Sequence, residues 1–143
     1  MKQGILNFIE KLEGWKTGIK NLHWDAKNLS QHKLCDDIAS DIADIQDSIS
    51  EIEQGMSGNL PMNKLKSIRY SIKDLEKFIR DVIKDTTTFY KSSDIKGDKY
   101  IGMRSNIEDF LGKMQRYDYL NDFCIKVDYK RTLKNKLNEN MKK

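Results

Sequence analysis

Four runs of apolar residues spaced three and four apart predict an all-α protein, a four-helix bundle with a basic C-terminal extension. Two further observations agree. The 143 residues include one Pro and eight Gly, with long stretches free of both, which suits long helices and not a β-sandwich of tight turns. The length supports one core of ordinary size and excludes repeat arrays and large multidomain enzymes. Residues 1–125 are assigned to the bundle and residues 126–143 to a helical extension or tail.

The first helix follows from Ile5, Phe8, Leu12, Trp15, Ile19 and Leu22, and runs to about His23. Gly14 and Gly18 lie one turn apart on it, either as a place for a close helix contact or as tolerated surface glycines. A break at Asp25 to Ser30 offers Asn28 and Ser30 as N-caps for the next helix. That second helix spans about Gln31 to Glu53, with the stripe Leu34, Ile38, Ile42, Ile45, Ile49 and Ile52. Gln54 to Pro61, reading QGMSGNLP, is the clearest linker. Leu65, Ile68, Ile72, Leu75, Ile79 and Val82 predict a third helix continuing through Phe89, before a break at Ser92 to Gly102. The fourth begins near Met103 and presents Ile107, Phe110, Leu111, Met114, Tyr117 and Leu120. Val127, Leu133 and Leu137 can prolong it into the tail.

Charge is unevenly distributed. The chain holds 26 Lys and Arg against 22 Asp and Glu, a formal net charge of +4. Lys126 to Lys143 holds seven basic and two acidic residues, a local +5, so the first 125 residues carry −1. Cys35 and Cys124 form no close-spaced metal or redox motif, and two isolated thiols suit a reducing compartment. Cys35, between the core stripe and the edge of the polar face, reads as a buried small hydrophobe. There is no 18-residue apolar run, and Asn7, Glu10 and Lys11 interrupt any signal-peptide core. A cytoplasmic protein with no membrane partner is expected.

The second helix carries a polar face of unusual composition. At about 100° per residue with His32 as zero, Asp36 falls at about 40°, Asp47 at about 60° and Glu51 at about 100°. The apolar stripe lies at about 200° to 280°, so the His and three carboxylates point away from the core. Small residues, Ala43 and Ser40, sit between them. Imidazole nitrogen and carboxylate oxygen are together the ligand set of non-haem iron or manganese. One chain cannot enclose a metal with an outward face, so a site needs a second subunit, most simply across a two-fold axis. His23, ending the first helix beside Trp24, can be brought near His32 by the turn. The bland alternative is a solvated acidic face with a capping histidine.

LHW at Leu22 to Trp24, then His32-x-x-x-Asp36, then Asp47-x-x-x-Glu51 within DSISEIEQG, resembles the Dps family of miniature ferritins. In that family a His-Trp pair ends the first helix. Its second helix carries His, Asp four later, Asp eleven later and Glu four after that. The resemblance covers Asn21 to Gly55 and implies a ferritin-like bundle that oxidises and stores iron. It implies metal ligands at His23, His32, Asp36, Asp47 and Glu51, with the histidines from one subunit and the last Asp/Glu pair from its two-fold mate. Iron is the implied metal, with manganese or zinc as alternatives, and a homo-oligomer built through the second helix is the implied assembly. Asp37, Asp41 and Asp44 fall on the flank, as surface solvation or an entry route. The His23 to His32 turn is three residues shorter than in the family. QGMSGNLP is also shorter than the family's connection, which must cross the bundle's length. Either the third helix begins later than its pattern suggests, or the chain is a simple up-down bundle.

Two other readings stand beside this one. One is a non-enzymatic structural or interaction bundle, for example a bacteriophage particle component, which keeps the helical hairpin without chemistry. Trp24 packed at a subunit contact would serve either. The other concerns the tail: Lys130, Arg131, Lys134, Lys136, Lys142 and Lys143 form a candidate nonspecific DNA contact, set against a solvated helix end. With two histidines and no Gly-rich elbow or phosphate loop, hydrolase and transferase chemistry is remote.

Overall fold

The computed structural model describes residues 1–66 and 70–141, excepting the side chains at 62 and 127–133. It is helical throughout, with no strand among the described residues. The α-helices are α1 (Gln3–Trp24), α2 (Leu29–Ser57), α3 (Leu75–Tyr90) and α4 (Ile101–Met141). No helix among the described residues is long and apolar enough to cross a membrane.

Local chemistry sets the ends of α2. Asn28 caps its start, accepting the Gln31 N–H at 2.9 Å, while the Gln31 side chain accepts the Lys27 N–H at 2.9 Å. Its end lies four residues beyond the expected Glu53, at Ser57. There Gly58, at φ 88°, donates its N–H to the Gln54 carbonyl at 3.0 Å. The stop is set by the glycine that can turn left-handed, so Gly55 stays inside the helix.

Side-chain pairs fix the directions of the helices. His23 meets His32 at one end and Gln46 reaches the Ile9 carbonyl further along, so α1 and α2 are antiparallel. Phe8 stacks on Phe89 at 4.2 Å and Lys11 pairs with Asp85 at 3.4 Å, so α1 and α3 are antiparallel. Gln31 bonds Asn121 and Asn106 bonds Ser48, so α2 and α4 are antiparallel. Arg80 lies 3.7 Å from Asp118 and the Tyr90 hydroxyl donates to Glu108, making α3 and α4 antiparallel as well. It follows that α2 and α3 run the same way, and the chain between them must return along the molecule.

That return corrects the expected third helix, which begins at Leu75 and not near Leu65. The connection leaves α2 beside the start of α1 and reaches Asn21, Leu22 and Asp25 with Ile72 and Lys73. This is a span of about 30 Å along α1. The seven residues 58–64, fully extended, reach only about 23 Å. A helix starting at Leu65 would therefore leave the connection too short. Leu65 and Ile72 are half-buried but not helical, and Ile68 lies outside the described residues.

The crossover is held by backbone and side-chain bonds. Lys66 N–H donates to the nearly buried Glu10 at 2.8 Å. Further on, Tyr70 lies against Gly18, where an added Cβ would sit 3.0 Å from the ring and 3.2 Å from the Tyr70 carbonyl. Gly18 is thus a close-contact glycine, although the partner is the crossover together with Phe78 of α3. The Tyr70 hydroxyl donates to Asp81 at 2.7 Å. This bond, ahead of the Lys77 contact, holds the Asp81 carboxyl below its ordinary range. A depressed carboxylate contributes stability above its unfolded pKa and loses it as pH falls through the lower folded value. Tyr70→Phe is expected to lower stability at pH 7 by about 1–2 kcal/mol and to flatten the acid limb below about pH 4. Urea titrations of both proteins across that range check this.

The core is the predicted one for three helices. All six residues of the α1 stripe are buried, as are Leu34, Ile38, Ile42, Ile45 and Ile49 of α2 and Met103, Ile107, Phe110 and Met114 of α4. Leu75, Phe78, Ile79 and Val82 supply α3. The break before α4 forms two 3-10 turns whose Ile95 and Tyr100 close the end of the core. Beyond the core α4 continues as one helix to Met141.

Candidate metal centre

The α1–α2 turn places the rings of His23 and His32 against one another, with centroids 3.6 Å apart and planes tilted by 37°. Each imidazole is tied to the other's backbone. His32 Nδ1 lies 3.0 Å from the His23 carbonyl, and His23 Nδ1 lies 3.2 Å from the His32 carbonyl. Asp36 Oδ1 also lies 3.0 Å from His23 Nδ1. Every atom facing the two Nδ1 positions is an acceptor, so both nitrogens carry their proton and act as donors. In a neutral ring with its proton on Nδ1 the lone pair sits on Nε2, the arrangement in which a backbone carbonyl or carboxylate fixes a metal-binding imidazole.

His23, His32 and Asp36 offer ligand atoms that all lie within 4.8 Å of one another. Both histidines are half-buried and Asp36 is exposed, so the cluster opens outward. The short turn is sufficient to bring the two histidines together.

Asp47 and Glu51 do not join this cluster. They are exposed on α2, about 16 and 22 Å further along the axis from Asp36. Of the five residues expected at one site, a single chain brings together His23, His32 and Asp36 and leaves Asp47 and Glu51 apart. Trp24, beside His23, is 74% exposed, the most exposed aromatic side chain of the described residues. Of the basic tail, Lys134 and Lys136 are exposed on α4, whereas the side chains of Lys130 and Arg131, and residues Lys142 and Lys143, lie outside the described residues.

Of the flanking aspartates, Asp37 and Asp44 are exposed as expected, whereas Asp41 is half-buried. Asp41 is not a surface solvation group: its carboxylate accepts the Tyr117 hydroxyl and lies 3.9 Å from Lys113. Together with Asp44, Ser48, Asn106 and Asp109 it lines a cleft of about 180 Å³ between α2 and α4. Lys113, bonded to Asp109 and facing Asp41, is held above its ordinary pKa. Lys113 thus faces Asp41 and Asp109 in a cleft that also holds Asp44, one cation among three carboxylates. Tyr117 was legible as a core position, but nothing in the spacing linked it to Asp41. Cys35 is fully buried as expected, and burial, with Asp36 and Cys124 adding, pushes its thiol up to about 12. Such a thiol is inert as a nucleophile.

No family model, no curated protein and no solved structure matches this chain.

Proposed function

We propose that this chain is a ferritin-like four-helix bundle of the Dps type, which collects and oxidises ferrous iron at a site shared between two subunits. The observation that carries the reading is the convergence of His23, His32 and Asp36 on an outward face, with Asp47 and Glu51 on the same helix but out of reach. A second copy related by a two-fold axis near Ala43 brings its Asp47 and Glu51 opposite the first copy's histidines, and completes two sites at once. The parallel course of α2 and α3, joined by a long crossover, is the connectivity a ferritin-like bundle requires and lends support.

Ferrous iron is the substrate. His23 and His32 bind it through Nε2 and Asp36 through a carboxylate oxygen, while Asp47 and Glu51 of the second copy supply further negative charge. Carboxylates favour the ferric product, because the added positive charge raises their attraction to the ion. Peroxide takes two electrons, one from each of two ferrous ions, and leaves as two hydroxides. Manganese and zinc fit the same donors but do not undergo this step with peroxide in the same way. The reading is tested by adding ferrous iron and peroxide and following ferric absorbance. It is expected in the parent and lost at least tenfold in Asp47→Ala and Glu51→Ala. Equal absorbance in all three would sink the proposal.

A structural bundle is the second reading. It is favoured by the same Nδ1 bonds, which clasp the α1–α2 turn without any metal. Metal content is the discriminating measurement, since a clasp predicts no stoichiometric iron. Contact of the tail with DNA belongs to either reading, through Lys130, Arg131, Lys134, Lys136, Lys142 and Lys143, of which Lys134 and Lys136 are exposed among the described residues.

A further inference from the structure

On the outward side of α2 one stripe is built the same way from both ends. His32, Asp36, Ser40, Ala43, Asp47 and Glu51 follow one another by steps of 4, 4, 3, 4 and 4 residues. With His32 as zero they fall between about 0° and 100°, opposite the buried side of the helix. Two copies of α2 set antiparallel about a two-fold axis at the middle of this stripe bring His32 beside Glu51 of the second copy and Asp36 beside Asp47 of the second copy. Ser40 and Ala43 meet at the axis, and their small side chains let the helices approach closely.

The side chains of the stripe do not hold such a pair together by themselves. Between His32 and Glu51 it carries no large apolar side chain, and Leu29, 66% exposed, lies beyond its end. Asp36, Asp47 and Glu51 are exposed, as are Asp37 and Asp44 on the flank, and Lys33 is the one Lys or Arg of α2. Asp36 therefore meets Asp47 of the second copy with like charge, which opposes docking. The ligand atoms of one chain change this balance. His23, His32 and Asp36 offer three of them within 4.8 Å of one another, which leaves at least one position open on a four-coordinate divalent cation. With neutral imidazoles, a dication beside Asp36 turns the half-site from negative to positive. The Asp47 and Glu51 carboxylates of the second copy are then both its electrostatic complement and its missing ligands.

We propose that a divalent cation drives the assembly of this protein, pairing two copies through α2 by joining the His23, His32 and Asp36 half-site of one to the Asp47 and Glu51 of the other. This rests on the reading of a site shared between two subunits, and adds that the ion supplies the attraction between them. Linkage makes the effect reciprocal: pairing strengthens cation binding by the same factor by which the cation strengthens pairing, on the order of 10–100-fold. Zinc is the probe, because it fits the donors and is not oxidised, so assembly is read apart from chemistry. Sedimentation velocity of the full chain at about 20 μM is expected to show a monomer in EDTA, a dimer with about one equivalent of zinc, and a monomer again after EDTA is restored. Asp47→Asn/Glu51→Gln and Ala43→Arg are each expected to stay monomeric in zinc. Equilibrium dialysis is expected to show that both still bind the ion, at least tenfold more weakly than the parent. A dimer equally strong in EDTA and in zinc overturns the role of the cation, and its loss in Ala43→Arg leaves the shared site standing. Zinc-driven association that survives both sets of substitutions overturns the α2 contact. A parent that stays monomeric in zinc overturns this proposal and the shared site together.

Discussion

Mixing equal amounts of His32→Ala and Asp47→Ala/Glu51→Ala chains, each inactive by itself, is expected to restore about a quarter of the parent's ferrous oxidation. The reason is geometric. Asp36 and Asp47 are separated by about 16 Å on one rigid helix, so no side-chain movement within a chain unites the two halves. In a two-fold dimer each site takes its histidines from one copy and its Asp47/Glu51 pair from the other. A mixed dimer then has one site with both halves intact and one with both damaged. Random exchange makes half of the dimers mixed, and one of their two sites works. The measurement is ferric absorbance after subunit exchange, against each variant alone. Restored activity near zero, with the parent active and the mixed dimer formed, would mean the site is not shared. His32→Ala is itself expected to reduce ferrous affinity by about 10–100-fold, since it removes a ligand and also the partner of the His23 carbonyl.

Replacing Trp15 by Ala is expected to cost about 3–5 kcal/mol, the largest loss of stability from any single core truncation in this chain. Trp15 is fully buried and meets Phe8 edge to face at 5.9 Å. Phe8 in turn stacks on Phe89, so the cavity would open at the join between α1 and α3. Trp15→Phe should behave quite differently, with a loss of about 1 kcal/mol. The indole N–H is buried with no hydrogen-bond partner, so removing it relieves an unsatisfied donor and offsets part of the lost packing. Urea unfolding followed by circular dichroism gives both values. Fluorescence is a poor probe here, because the variants leave only the exposed Trp24. A loss in Trp15→Phe well above about 1 kcal/mol would show that removing the unpartnered N–H offsets nothing.

Spacing was a reliable guide wherever an apolar side chain had one available destination. The stripes of α1, α2 and α4 all lie in the core, and Asn28 caps α2 as its side chain permits. The outward direction of His32, Asp36, Asp47 and Glu51 followed from the same period, since a face opposite the stripe has to point outward. The third helix starts at Leu75 although Leu65 and Ile72 have helical spacing, because the return path needs more reach per residue than a helix provides. Helical period is a local property, whereas the distance between α2 and α3 is global.

Asp41 makes the same point from the polar side. Its place on the edge of α2 was legible, but its bond to Tyr117 joins residues 76 apart in sequence. The sequence by itself determined that this is a helical protein, which side chains form the stripes of its core, and which face of α2 carries His32 and the three carboxylates, because these depend on period alone. Only the tertiary structure decided that α2 and α3 run parallel, that the His23 and His32 rings meet, and that α4 runs past the end of the core. Those features depend on where separate helices end relative to one another in space, and no local pattern of residues contains that distance.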